Sequence, residues 1–244
     1  MRISIMQPGY LPWLGFFELM ARCELFVVLD DVRFTKRDWR SRNRIRTKEG
    51  WIWLTVPALS KNRSGQLILD TKINNEEHWR QTHLKCLKIH YARAPYFKKY
   101  INFFEDAYTR SWDLLIDLDM AIILFLAQTM HIMTPIIRSS ELGIRDVSGN
   151  ERILAICAKL QARDLYDSQG AKDFINLPFF NERGIRVEFQ EFPHPIYRQV
   201  YDPFLPYMSA VDLLFNEGPR SKDIILGNPL NHPIAPEDQE HLNA

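Results

Sequence analysis

Ile3-Ser-Ile-Met6-Gln7-Pro8-Gly9-Tyr10-Leu11-Pro12-Trp13-Leu14-Gly15-Phe16-Phe17-Glu18-Leu19-Met20-Ala21, continued by Leu25-Phe-Val-Val-Leu29-Asp30-Asp31, decides the fold. A short apolar run, Ile3 to Met6, meets a loop rich in Pro and Gly. An amphipathic segment from Phe16 to Ala21 follows, and a second apolar run from Leu25 to Leu29 ends on paired acids. Strand, loop, helix, strand is the opening βαβ unit of a parallel sheet. Ligands of such sheets bind outside the carboxyl ends of the strands. Gln7, Tyr10, Trp13, Asp30 and Asp31 all fall at those ends, so the segment places a site without naming a reaction.

Further along, strand and helix signals keep alternating. Trp51-Ile-Trp-Leu-Thr-Val-Pro57 reads as a strand, and Ser60 to Gln66 as a loop. Helical periodicity runs from Glu76 to His131. It is divided at Ala94-Pro95, because the residue before Pro disfavours helix, and near Ser111, a plausible N-cap. Strands are expected at Thr134–Arg138, Asp164–Tyr166 and Ile185–Phe189, with helices opening at Ser148 and Ser209. The pattern is βαβ, a helical insertion, then βαβαβ. With right-handed crossovers this predicts a Rossmann-like α/β fold, a twisted parallel sheet of about five strands. The expected organisation is one α/β domain over residues 1–226, with a helical insertion at 76–133 and a loosely held tail at 227–244.

Composition narrows the function. The 244 residues are 46% hydrophobic and 25% charged, as in ordinary globular proteins, and the formal net charge of +1 weighs against a dedicated nucleic-acid binder. Three widely spaced cysteines, Cys23, Cys86 and Cys157, read as reduced thiols and point to the cytoplasm. Pro8, Gly9 and Pro12 interrupt the N-terminus before a signal-like apolar run develops. Asp117, Asp119, Gln128 and His131 divide Leu114–Met133, which makes that stretch a buried helix rather than a membrane span.

Several residue groups are candidates for chemistry. Gly9, Gly15 and the helix start between them could cradle an anion with free N–H groups, or could serve only as a tight turn. The stretch is neither G-x-G-x-x-G nor a Walker A sequence, which excludes the conventional nucleotide loops. Asp30 and Asp31 could bind Mg²⁺ or act as acid and base, or could pair with nearby arginines. The basic stretch around Trp39, with Arg42, Asn43 and Arg44, suits phosphate or diphosphate because guanidinium forks match such anions; a charged edge strand and an RNA-contacting patch compete with that reading. Ser139 and Ser140 could donate hydrogen bonds to a phosphate or cap a turn, and no G-x-S-x-G elbow surrounds them. Tyr197 and Gln199 belong to a Pro- and aromatic-rich loop that could close over a ligand or equally be a packed surface loop, and Asp212 could cap or orient it. His78, His83 and His90 have no metal-binding spacing.

Taken together, these motifs resemble the WbqC-like proteins. The resemblance rests on Met6–Gly15, Asp30-Asp31, Trp39 with Arg42-Asn43-Arg44, Trp53–Pro57, Tyr91 with Pro95-Tyr96-Phe97, and Ser139-Ser140. It continues through Tyr197-Arg198-Gln199, Phe204-Leu205-Pro206 and Ser209–Asn216 with Gly218, and so covers roughly residues 1–218. That family is associated with bacterial O-antigen (lipopolysaccharide) gene clusters and with natural-product clusters. The resemblance implies a biosynthetic transferase modifying a sugar or small metabolite, acyl or aminoacyl transfer to an amine being one form. A non-catalytic assembly protein of a glycan-synthesis complex is the alternative. The Trp13-Leu14-Gly15-Phe16 turn is also similar, at the level of fold, to the H-x-G-H region of nucleotidylyltransferases. Trp13 and Phe16 stand where both histidines would be, so that activity does not carry over.

Overall fold

The computed structural model describes residues 1–59 and 65–228. Most of the expected 60–66 loop and the tail beyond Asn228 lie outside the described residues. Strand β1 (Arg2–Met6) leads through a loop into helix α1 (Leu14–Ala21) and returns as β2 (Leu25–Val28). The two strands are parallel, in a register that pairs Ile3 with Leu25 and Met6 with Val28. Strand β5 (Ile136–Arg138) adds outside β2, while β6 (Asp164–Asp167) adds to the other side of β1 and β7 (Arg186–Phe189) lies beyond it. The five-stranded order β5-β2-β1-β6-β7 is parallel throughout.

Side-chain alternation explains why both faces must be covered. Ile3, Ile5, Val27 and Leu165 face one side, where α5 (Gly149–Lys159) and α6 (Leu177–Asn181) supply Ile153, Ile156, Cys157 and Phe180. Phe26, Val28 and Tyr166 face the other. There α1 is joined by α2 (Trp79–Tyr91), α3 (Phe97–Thr109), α4 (Leu115–Thr129), α7 (Ala210–Glu217) and α8 (Ser221–Leu226). The breaks between α2, α3 and α4 fall where Ala94-Pro95 and the Ser111 region predict them. No helix among the described residues is long and apolar enough to cross a membrane.

Strands β3 (Arg42–Thr47) and β4 (Gly50–Thr55) form an antiparallel ribbon apart from the main sheet. The sequence signals only β4, because charged residues mask the alternation of β3. Asn43, Ile45 and Leu54 face inward, while Arg44 and Trp53 pair on the outer face. Two long-range clamps hold the ribbon beside the β1–α1 loop. Ser209 N donates to Arg44 O (2.9 Å) and Ala210 N to Pro12 O (2.8 Å). Arg46 donates to Gly50 O (2.8 Å) and Pro203 O (2.9 Å), tying in the loop before α7. The C-terminal segment therefore fixes the N-terminal loop.

Candidate functional site

Strand β1 sits where the chain reverses its direction of spread: β2 and β5 build outward on one side, β6 and β7 on the other. At such a switch point the loops leaving two neighbouring strands diverge and open a crevice. A cavity of about 440 Å³ opens there, a size suited to a small-molecule ligand. Met6, Gln7, Pro8 and Gly9 line it from the end of β1, and Ser168, Gln169 and Gly170 from the end of β6. Pro12, Trp13 and Phe16 contribute from the start of α1, and Trp39, Arg40, Asn43 and Arg44 from the ribbon side. Gln190 and Tyr207 complete the wall.

Each wall group has a definable support. Arg40 donates through Nε to Gln7 Oε1 (2.7 Å) and through a terminal nitrogen to Asp38 (2.6 Å), so its charge is partly matched. Arg44 differs. Among the described residues no carboxylate pairs with it; its guanidinium donates to Tyr207 O (3.0 Å), lies 5.1–5.8 Å from the ring centres of Trp39, Trp51 and Trp53, and keeps a buried Nε without a partner. Burial shifts its pKa downward, a measure of the hydration it has lost. Beneath the cavity, Gln190 Nε2 donates to Gly15 O (2.8 Å) and Glu18 Oε2 (2.6 Å), and the Tyr166 hydroxyl to Glu18 (3.0 Å). Arg22 pairs with the same buried carboxylate. Beside the wall, burial pushes Asp167 up to about 6, although its carboxylate accepts from Ser168 N (2.7 Å).

Of the residues singled out from sequence, the cavity brings together Gln7, Gly9, Trp13, Trp39, Asn43 and Arg44. Gly15 and Tyr10 lie under it instead. A Cβ at Gly15 would collide with the Trp13 indole, and one at Gly9 would lie 2.8 Å from Trp39 O, so the packing closes both positions to a side chain. Tyr10 is fully buried; its hydroxyl bonds His83 Nδ1 (2.8 Å) and the Tyr108 hydroxyl. Burial pushes His83 down to about 3, which keeps it neutral. Tyr197 and Gln199 lie outside the cavity lining and bond Asp212, donating to Oδ2 at 2.7 and 2.8 Å, which anchors their loop on α7. Arg42 lines a separate hollow.

Asp30, Asp31, Ser139 and Ser140 also meet away from the cavity lining. The fully buried Asp30 accepts from Arg138 Nε (2.6 Å), Ser139 Oγ (3.1 Å), Ser140 N (3.0 Å) and Ser140 Oγ (2.8 Å), and Asp31 from Ser139 and Arg152. Burial alone would raise the Asp30 pKa, but these donors outweigh it and the net shift is downward. The pair welds β2 to the turn after β5. Its oxygens face protein donors where the sequence reading expects Mg²⁺ or a substrate proton, and among the described residues no cluster of His, Cys, Asp or Glu is built to hold a metal.

The sequence reading missed Phe16, Arg40, Ser168, Gln169, Gly170, Gln190 and Tyr207 as site residues. Ser168-Gln169-Gly170 carries a turn signal and follows a strand, which was the available clue.

This is a doubly wound α/β protein whose switch-point cavity combines aromatic walls with a guanidinium that no carboxylate among the described residues neutralises. The profile of the WbqC-like protein family matches residues 7–224, and the chain belongs to that family. It is similar to "Uncharacterized protein Rv1507c" of Mycobacterium tuberculosis, at 30% identity over 226 residues, covering 92% of this chain and 97% of the relative. No solved structure matches the chain.

Proposed function

We propose that the protein is a transferase of surface-polysaccharide (lipopolysaccharide) or natural-product biosynthesis, and that its cavity holds a phosphate-bearing small molecule such as a nucleotide-linked sugar. One observation carries this reading: Arg44, cationic and without a carboxylate partner among the described residues, faces a crevice walled by Trp13 and Trp39 at the switch point. A guanidinium donates to phosphate in a fork, and indole faces pack on sugar or base rings. Gln7 and Gln169 supply neutral polar groups that fix orientation. The transferred group, acyl or aminoacyl in one form of the reaction, is held near an acceptor amine by the same wall. Calorimetric titration with UDP and ADP tests the anion site. Arg44→Ala should weaken binding by about 10- to 150-fold, the loss of one charge-assisted hydrogen bond. Unchanged affinity in the variant overturns the assignment.

A second reading, a non-catalytic binding or assembly protein of a glycan-synthesis complex, draws on the same wall. None of its described residues carries a carboxylate, imidazole or thiol. Mass spectrometry of donor and amine acceptor incubated with the protein separates the two. A new covalent product supports the transferase; tight ligand binding with both substrates unchanged supports the binding protein.

A further inference from the structure

The outer edge of the ribbon carries a second hollow, of about 340 Å³, between the chain around Lys36 and the end of β4. Lys36, Arg37 and Arg42 line it, and among the described residues no carboxylate pairs with any of the three. Arg42 Nε is buried without a partner. Three like charges around one concavity repel one another, and an anion placed among them relieves that repulsion.

The hollow is continuous in chemistry with the cavity. Arg42 stacks over Trp53 at 4.3 Å, Trp53 packs on Trp39 with ring centres 5.2 Å apart, and Trp39 lines the cavity beside Arg44. Arg42 and Arg44 are alternate residues of β3 and share its outer face, which sets their Cα atoms roughly 7 Å apart. Two cationic stations thus flank one exposed aromatic wall; Trp39 and Trp53 are 43% and 36% exposed.

We propose that this hollow binds a second anionic group of the same ligand, which is therefore a nucleotide phosphorylated on both sides of its ribose. The inference rests on the reading of the cavity as a phosphate site. A single run of adjacent phosphates crowds its charge at one station. Phosphates on two sides of a ribose present one anion to Arg44 and the other to Arg42, Arg37 and Lys36, with the planar base left for the indoles. A net charge of +1 gives no global positive field for a long polyanion, which favours a small ligand.

The test is calorimetry on the full chain, setting AMP and UMP against adenosine and uridine 3′,5′-bisphosphate at equal ionic strength. For at least one base the bisphosphate should bind about tenfold tighter or more. That ratio should fall to near one in a Lys36→Ala/Arg37→Ala double variant, whose two side chains are exposed. Arg44→Ala should weaken both members of the pair. Equal affinity for mono- and bisphosphate in the wild type overturns the second station and leaves the cavity reading standing. Absence of binding by all four compounds overturns this inference, and if UDP and ADP also fail to bind, the cavity reading falls with it. A short single-stranded oligonucleotide that binds more tightly than either bisphosphate assigns the strip to nucleic acid and also overturns the inference.

Discussion

Gly15 shows how a residue can be essential to a site without touching a ligand. It lies inside α1, where alanine normally stabilises a helix by roughly 1 kcal/mol. Here a Cβ would occupy the space of the Trp13 indole, which lines the cavity. Gly15→Ala should therefore displace that ring, weaken UDP or ADP binding and shift tryptophan emission, with no gain in melting temperature. A simple rise in stability with unchanged affinity would refute this account. Tyr10 makes the complementary point. Its hydroxyl is spent on His83 and Tyr108 inside the fold, so a polar aromatic beside a site became part of the foundation.

Among the elements, the junction of β2 with β5 depends on one buried carboxylate. Asp30→Asn places amide hydrogens against the donors of Arg138 and Ser140 and should cost about 2–4 kcal/mol, read as a lowered melting temperature. Because the folded-state pKa of Asp30 is depressed, its contribution is present above the ordinary carboxylate range and is lost as pH falls through the folded value. An Asn variant that melts like the wild type but has no turnover would restore a catalytic role to Asp30. The same junction shows what could be read from the sequence. Apolar runs at Ile3 and Leu25 and the Pro95 break gave β1, β2 and the helix boundaries, because their signals are local. Strand β3 stayed hidden, since Arg42, Arg44 and Arg46 put a charge at every second position, and Arg46 is buried only by a loop some 155 residues further on. Half of the cavity wall was equally hidden: Ser168–Gly170 and Gln190 reach Gln7 only through sheet order, which pattern in one segment does not encode. Paired acids at a strand end looked like chemistry because the donors that occupy them, from Ser139 to Arg152, lie more than a hundred residues away in sequence.

For the molecule as a whole, pH enters through Asp167. Its folded-state pKa of about 6 lies above the usual carboxylate value, so its contribution to stability is full below that value and is lost as pH rises through 6. Asp167→Asn keeps an acceptor for Ser168 N and should be more stable than the wild type at pH 8, by up to about 3 kcal/mol, with the difference gone near pH 4. Denaturant melts at the two pH values measure this, and a variant equally or less stable at pH 8 contradicts it. Sheet order has a consequence in time as well. The central strand β1 is made long before its partner β6, which begins at Asp164, and the clamp on the β1–α1 loop waits for Ser209. During synthesis the β1–α1–β2 unit emerges with one flank of β1 uncovered for more than a hundred residues. That flank is an apolar strand edge which a chaperone or a misplaced strand can occupy. The pocket, begun at Met6, is walled in full only once Tyr207 and the clamp at Ser209 have been made, so a nascent chain cannot hold a ligand there before that point.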